Sequence, residues 1–204
     1  MKKFLFVILF LFIVGGGVTL GSTIAHKSTP KAPVQSVLTA HESAATPTVV
    51  STTAVVGIVP EHIKIPKINV DTTVESVGMD DKGRMDVPQD SDNTAWFKTG
   101  YKPGQNGSAV IDGHYDKATG APSVFYDLTK LTPGDKIIVS DSVGKSLTFS
   151  VVRLESYPDD NFPIKEVFGP ASKPLLNLIT CQGKWNEESH NYSQRGVVYA
   201  ELAQ

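Results

Sequence analysis

The chain has 204 residues, with 19 Lys and Arg against 21 Asp and Glu, a formal net charge of -2 and a single cysteine. That length allows one domain with appendages. The near-neutral balance gives no electrostatic footprint for nucleic acid, and one cysteine excludes an intramolecular disulfide.

Lys2 and Lys3 precede an uncharged, mostly apolar run from Phe4 to Gly21, just long enough to cross a bilayer. The positive flank predicts a cytoplasmic N-terminus with the remainder outside. The run exceeds the roughly 7–15-residue core of a cleaved signal peptide, so an uncleaved anchor over residues 1–26 is preferred to a secreted form cut near Thr23-Ile24-Ala25. Residues 27–56 are rich in Ser, Thr, Ala, Pro and Val without any period, which reads as an extended linker.

The folded domain is expected over residues 57–204. Short runs of Ile, Val, Thr and Phe alternate with turn residues, which argues for an all-β barrel or sandwich. Strands are expected at residues 62–68, 72–77, 108–114, 136–140, 147–154, 175–180 and 197–202. Asp141-Ser142-Val143-Gly144 reads as a hairpin turn, and residues 123–128 and 164–168 each carry enough signal for a turn or two of helix.

Three of these strands end on chemistry. The strand at 108–114 closes on Gly113-His114. The apolar run Leu175-Leu176-Asn177-Leu178-Ile179-Thr180, bounded by Pro174 and Gly183, delivers Cys181 to its far end, and Arg195 opens the last strand after a polar loop. A thiolate is the nucleophile in cysteine chemistry, and a neighbouring imidazolium or guanidinium favours its charged form. The histidine can return a proton to a leaving amine, and arginine keeps its charge at any working pH. The bland alternative is that Cys181 is a small buried hydrophobe, the usual state of a free cysteine.

Alternation along a strand lets Asp112, His114 and Asp116 face the same way. One of the two carboxylates is expected to orient the imidazole or cap the loop. A metal site there is a rival reading, disfavoured because no second His or Glu cluster lies nearby to complete the ligand set. His41 and His190 read as solvated, His62 is a weaker candidate in an early strand, and Arg153 reads as a surface charge on the polar face of its strand.

These residues resemble the sortases, cysteine transpeptidases of bacterial cell surfaces. Leu178-Ile179-Thr180-Cys181 is similar to the family's LxTC segment, Gly113-His114 to its catalytic histidine and Arg195 to its active-site arginine. Ile65-Pro66-Lys67-Ile68, Val87-Pro88, Ala95-Trp96-Phe97, Pro103-Gly104, Phe125-Tyr126-Asp127-Leu128 and Leu131-Thr132-Pro133-Gly134-Asp135 follow in the order of the class F and class E branches. The likeness spans residues 57–204. The sequence after the cysteine, Gln182-Gly183-Lys184-Trp185, is bulkier than the Gly-rich stretch common in class F.

The resemblance implies a closed barrel of about eight strands with short helical insertions, tethered to the membrane with its catalytic domain outside the cell. It implies Cys181, His114 and Arg195 as the catalytic set. Thr180 would help hold the oxyanion through its hydroxyl or backbone, and Asp116 matches an acidic position two residues after the histidine. Partners would be proteins bearing an LPxTG-like C-terminal sorting signal and an amine acceptor on a cell-wall precursor or pilin. No cofactor is called for, and the acidic residues show no calcium-loop spacing. Three other readings stand beside this one. They are a surface cysteine peptidase, a non-enzymatic tethered binding module with an inert Cys181, and an L,D-transpeptidase, the last disfavoured because no Ser-His-Gly-Cys arrangement is present.

Overall fold

The computed structural model describes residues 56–203. The expected anchor and nearly all of the expected linker lie outside these residues. Among the described residues no helix is long and apolar enough to cross a membrane.

Eight strands form a closed barrel: β1 (His62–Ile65), β2 (Val70–Val77), β3 (Thr94–Phe97), β4 (Gly107–Gly113), β5 (Lys136–Ser140), β6 (Ser146–Pro158), β7 (Pro174–Asn186) and β8 (Asn191–Leu202). Their order around the barrel is β1-β2-β3-β4-β7-β8-β6-β5, and β5 pairs back onto β1 to close the ring. The β2–β3 and β4–β7 pairs are parallel and the others antiparallel. One short helix, α1 (Ile164–Phe168), lies in the connection between β6 and β7.

Two apolar layers sort the side chains by strand parity. The barrel interior holds Ile63 and Ile65, Ala109 and Ile111, Leu176 and Leu178, and Val198 and Ala200, with Phe125 and Leu128 packed against them. The opposite face of β4, β7 and β8 presents Val110, Ile179, Val197 and Tyr199, which pack with Val167 of α1 and with Met85, Phe97, Phe162 and Phe168. Odd residues of β7 and β8 therefore point out of the barrel beneath the β6–β7 connection.

The expected all-β architecture is observed, with differences at strand ends. The first strand stops at Ile65 because Pro66, which has no N–H to donate, opens a 3-10 turn over Pro66–Ile68. β3 was not expected as a strand. It is four residues long and its first three side chains are buried, as befits a short strand paired on both sides, so it carries no alternating signature. Residues 124–127 form turns, and helical geometry begins only at Leu128, in a 3-10 turn over Leu128–Lys130.

The largest correction concerns β7 and β8. Gly183 does not end the strand. Its φ of 87° accommodates a bulge between Gln182 and Trp185, after which pairing resumes at Trp185–Tyr192 and Asn186–Asn191. The segment read as a polar loop between Cys181 and Arg195 is thus a β-hairpin extension, and both residues lie inside strands rather than at their ends.

Gly113 closes β4 where no side chain fits. A Cβ there would stand 2.5 Å from the Phe125 ring and 2.9 Å from Val124. Gly113→Ala is expected to destabilise the domain by about 1–3 kcal/mol through this overpacking, read as a lower urea midpoint at an unchanged slope.

Candidate active site

The ladder through β4, β7 and β8 brings the three predicted residues together. Cys181 lies directly opposite Arg195 in the antiparallel β7–β8 pair. In the parallel β4–β7 pair the register runs to Asp112 opposite Ile179, and His114 follows one residue past the end of β4, continuing the line of that strand toward the level of Cys181. Residues in register share a face, and neighbouring strands are about 4.8 Å apart. Cys181 and Arg195 on β7 and β8, with His114 just beyond the end of β4, therefore line up on the outer face already occupied by Val110, Ile179 and Val197.

Each member is held by its neighbours. His114 Nε2 lies 3.2 Å from the Pro88 carbonyl oxygen. A carbonyl only accepts, so Nε2 carries the hydrogen and Nδ1 is left for proton exchange. Pro88 belongs to the loop between β2 and β3, which Glu75 anchors by accepting hydrogen bonds from Gln89 N at 2.9 Å and Asn93 Nδ2 at 3.0 Å. Thr180, 1% exposed, donates its hydroxyl to the Gly113 carbonyl at 2.7 Å. The hydroxyl half of the oxyanion expectation for Thr180 is therefore corrected: that group is buried and committed to clamping β7 onto β4 just before His114.

Asp116 does not orient the imidazole either. Its carboxylate accepts the Tyr192 hydroxyl at 2.5 Å, which ties the loop after β4 to the β7–β8 hairpin and pushes the Tyr192 phenol up to about 12. Tyr192 in turn packs edge-on against Tyr115 and Trp185. Asp112 lies closer to the row. Burial raises its carboxyl to about 6, against opposing pulls from His114, the Gly113 N–H and Arg195.

Cys181 is half-buried. Burial pushes its thiol up, Arg195 pulls it back, and Asp112, Asp116 and Asp159 push it up again. The resting group is consequently the protonated thiol at neutral pH, with the guanidinium as the main stabiliser of the thiolate.

Arg195 is the most tightly bound of the three. Its Nη2 pairs with Asp159 Oδ1 at 2.8 Å and Asn191 Oδ1 at 2.7 Å, while Nη1 donates to the Tyr192 and Gln194 carbonyls at 3.1 and 2.9 Å. Asp159 and Asn191 were absent from the sequence reading. Asp159 is 36 residues before Arg195 in a polar stretch, and only the pairing of β6 with β8 makes them neighbours.

The remaining candidates fall away from the row. His62 pairs with Asp71 at 3.0 Å, and His190 sits in the hairpin turn against Trp185. Arg153 is more than a surface charge: it lies 3.5 Å over the Tyr199 ring and pairs with Glu166 of α1, bracing that helix on the outer face. A cavity of about 250 Å³ lined by Leu128, Leu154, Gln182 and Gly196 opens on the inner-facing side of β6–β8, behind the sheet from Cys181.

A closed mixed barrel with a thiol, an imidazole and a guanidinium aligned on its outer face is the arrangement of a cysteine acyl-transfer enzyme. The Sortase domain family matches residues 63–203, and the chain belongs to the sortase family. Among solved structures it resembles sortase A from Corynebacterium diphtheriae, with a TM-score of 0.54 and 20% identity over 72% of this chain and 62% of that chain. Sortase C-1 from Actinomyces oris gives a TM-score of 0.55 and 22% identity over 70% of this chain and 71% of that one. Sortase A from Listeria monocytogenes gives 0.53 and 21%, over 74% and 88%. At these identities the likeness establishes the fold, and these neighbours are of classes A and C. No curated protein sequence matches the chain.

Two predictions follow from the charges. For Asp112, the ordinary value is 3.8 and the folded value about 6. Below pH 4 the group is protonated folded or unfolded and costs nothing; between pH 4 and 6 the unfolded chain ionises first and stability falls; above pH 6 the cost is constant. Asp112→Asn should therefore stabilise the domain by up to about 3 kcal/mol at pH 7.5 and by nothing at pH 3.5, measured by urea unfolding at both. For Cys181, the pH midpoint of iodoacetamide alkylation should lie above the value near 8.5 of a free cysteine, and higher still in Arg195→Ala. A midpoint at or below 8.5 would contradict the buried-thiol description.

Proposed function

We propose that this sortase is a cysteine transpeptidase that cleaves an LPxTG-like sorting signal and passes the acyl group to an amine. The observation that carries the reading is the pairing of Cys181 with Arg195 across β7 and β8, with His114 one residue past the end of the adjoining strand β4. Cys181 gives its thiol proton to Nδ1 of His114, and the thiolate so formed attacks the carbonyl of the Thr-Gly bond. As the tetrahedral intermediate collapses, the C–N bond breaks, the leaving glycine amine takes a proton from His114, and a thioester remains on Cys181. An acceptor amine on a cell-wall precursor or pilin then attacks the thioester and gives its proton to His114, the C–S bond breaks, and the thiolate takes the proton back from His114 to restore the thiol. The Arg195 guanidinium favours the thiolate and steadies the peptide or its oxyanion. Thr180 and Asp116 act indirectly, by fixing the strand and loop that carry Cys181 and His114. No step requires a cofactor.

The strings Ile65-Pro66-Lys67-Ile68, Gly113-His114-Tyr115-Asp116 and Leu131-Thr132-Pro133-Gly134-Asp135 support assignment to the class F or class E branch. The apolar run Phe4–Gly21 behind Lys2 and Lys3 supports a single-pass anchor, with residues 27–56 as a spacer that lets an extracellular domain reach into the wall.

Mass spectrometry of the full chain incubated with an LPxTG-type peptide, with and without a glycine amine, tests the reading. An acyl adduct on Cys181 and an amine-transferred product are expected, both absent in Cys181→Ala, and His114→Ala should lower turnover by about 10²–10⁴-fold. Hydrolysed peptide alone in the presence of amine would make the protein a peptidase. No adduct together with no thiol labelling would leave a binding module.

A further inference from the structure

Arg195 arrives at the site already engaged. Nη1 donates to the carbonyls of Tyr192 and Gln194, and Nη2 donates to Asn191 Oδ1 and forms an ion pair with Asp159 Oδ1 at 2.8 Å, so both terminal nitrogens are engaged. The two acidic-side partners are themselves joined, since Asn191 Nδ2 donates to Asp159 Oδ2 at 2.7 Å. The carboxylate thus bridges guanidinium and amide, and each of its oxygens has a partner.

The anchor has a fixed base. Asp159 opens the 3-10 turn Asp159–Asn161 immediately after β6, and the last pairs of the β6–β8 ladder, Tyr157–Arg195 and Pro158–Gln194, lead straight into it. Asn191 opens β8 at the far end of the hairpin. The guanidinium is therefore gripped from two elements that meet only in the folded barrel. Arg195 is 20% exposed and Asp159 42%, so the pair is screened by water and contributes modestly to stability. Its geometric effect is larger than its energetic one. A long, rotamer-rich side chain standing opposite Cys181 is confined to one orientation before substrate arrives, which removes an ordering cost from the reaction.

We propose that Asp159, assisted by Asn191, is a positioning residue of the transpeptidation reaction that acts through Arg195, holding the guanidinium beside Cys181. This rests on the transpeptidase reading for its catalytic consequence. The geometric claim has a separate readout in the thiol, whose charged and titratable neighbours are Arg195, Asp112, Asp116, Asp159, Tyr192 and His114.

The test is a double-mutant cycle in the full chain with Asp159→Ala, Arg195→Ala and the two combined, plus Asp159→Glu and Asn191→Ala. Acyl-enzyme formation with an LPxTG-type peptide should fall by roughly ten- to hundredfold in Asp159→Ala, less in Asn191→Ala, and recover in part in Asp159→Glu. Added to Arg195→Ala, the Asp159 change should cost nothing further. Losses that multiply in the double variant, or an Asp159→Ala enzyme as fast as the parent, would overturn the proposal. The same cycle is read by the pH midpoint of iodoacetamide alkylation of Cys181, which needs no sorting substrate. In Arg195→Ala, removing Asp159 takes away only a nearby negative charge and should lower the midpoint. With Arg195 present, the released guanidinium drifts from the thiol and should cancel or reverse that drop. Equal shifts in the two backgrounds would refute the positioning role whether or not the peptide reacts. Unequal shifts without any acyl transfer would uphold it and refute the transpeptidase reading instead.

Discussion

The site depends on the register of three strands, and the register depends on the core. β4, β7 and β8 each send alternate side chains into the barrel, where Ala109, Ile111, Leu176, Leu178, Val198 and Ala200 are essentially fully buried. A slip of one residue would turn those chains outward and bring the opposite set in, so burial of the apolar set dictates which face Cys181 occupies. The even residues of β7 are held inside by the hydrophobic effect, and position 181 must therefore face out. The same parity carries Arg195 outward on β8. Precision at the reactive row is thus a by-product of packing many angstroms of strand, and Thr180 adds a specific clamp where β7 meets the end of β4.

The electrostatics are a contest. One guanidinium favours the Cys181 thiolate, while burial and three carboxylates disfavour it. The domain keeps Asp112 near the row at the expense of stability that is lost from about pH 4 and fully lost above pH 6, since a carboxylate whose pKa is raised by burial opposes folding wherever the unfolded chain would ionise it. A carboxylate held at such a cost near a thiol, an imidazole and a guanidinium is a feature of a candidate functional site. Arg195 stands against this negative field, and its own anchoring by Asp159 and Asn191 has a consequence for the thiol: wherever the guanidinium rests, the main stabiliser of the thiolate rests too.

The hairpin beyond Cys181 links these features to the surface. Gly183 lets β7 bulge and continue, and the extension carries Tyr192 to Asp116 and Asn191 to Asp159. A loop in that place would have left the residues around Arg195 without a scaffold. With pairing restored at Trp185–Tyr192, the aromatic series Tyr126, Tyr115, Tyr192 and Trp185 packs in one connected strip beside the reactive row.

The amino-acid sequence by itself determined the class of the fold, because the β-branched runs and turn residues admit few alternatives, and it singled out Cys181, His114 and Arg195 by their chemistry and their places in apolar runs. It also carried α1 and the hairpin turn at 141–144, which are local. β3 escaped notice because a four-residue, near-continuously buried strand has no period to read. Gly183 is ambiguous in the sequence because glycine marks a strand end and a bulge alike, and the partner strand decides between them. The roles of Thr180, Asp116, Asp159 and Asn191 were decided by tertiary structure alone. Their partners lie 67, 76, 36 and 4 residues away, and even the short separation is set by the hairpin. A side chain's type is written in the sequence, but whom it meets across a barrel is fixed only when the register closes.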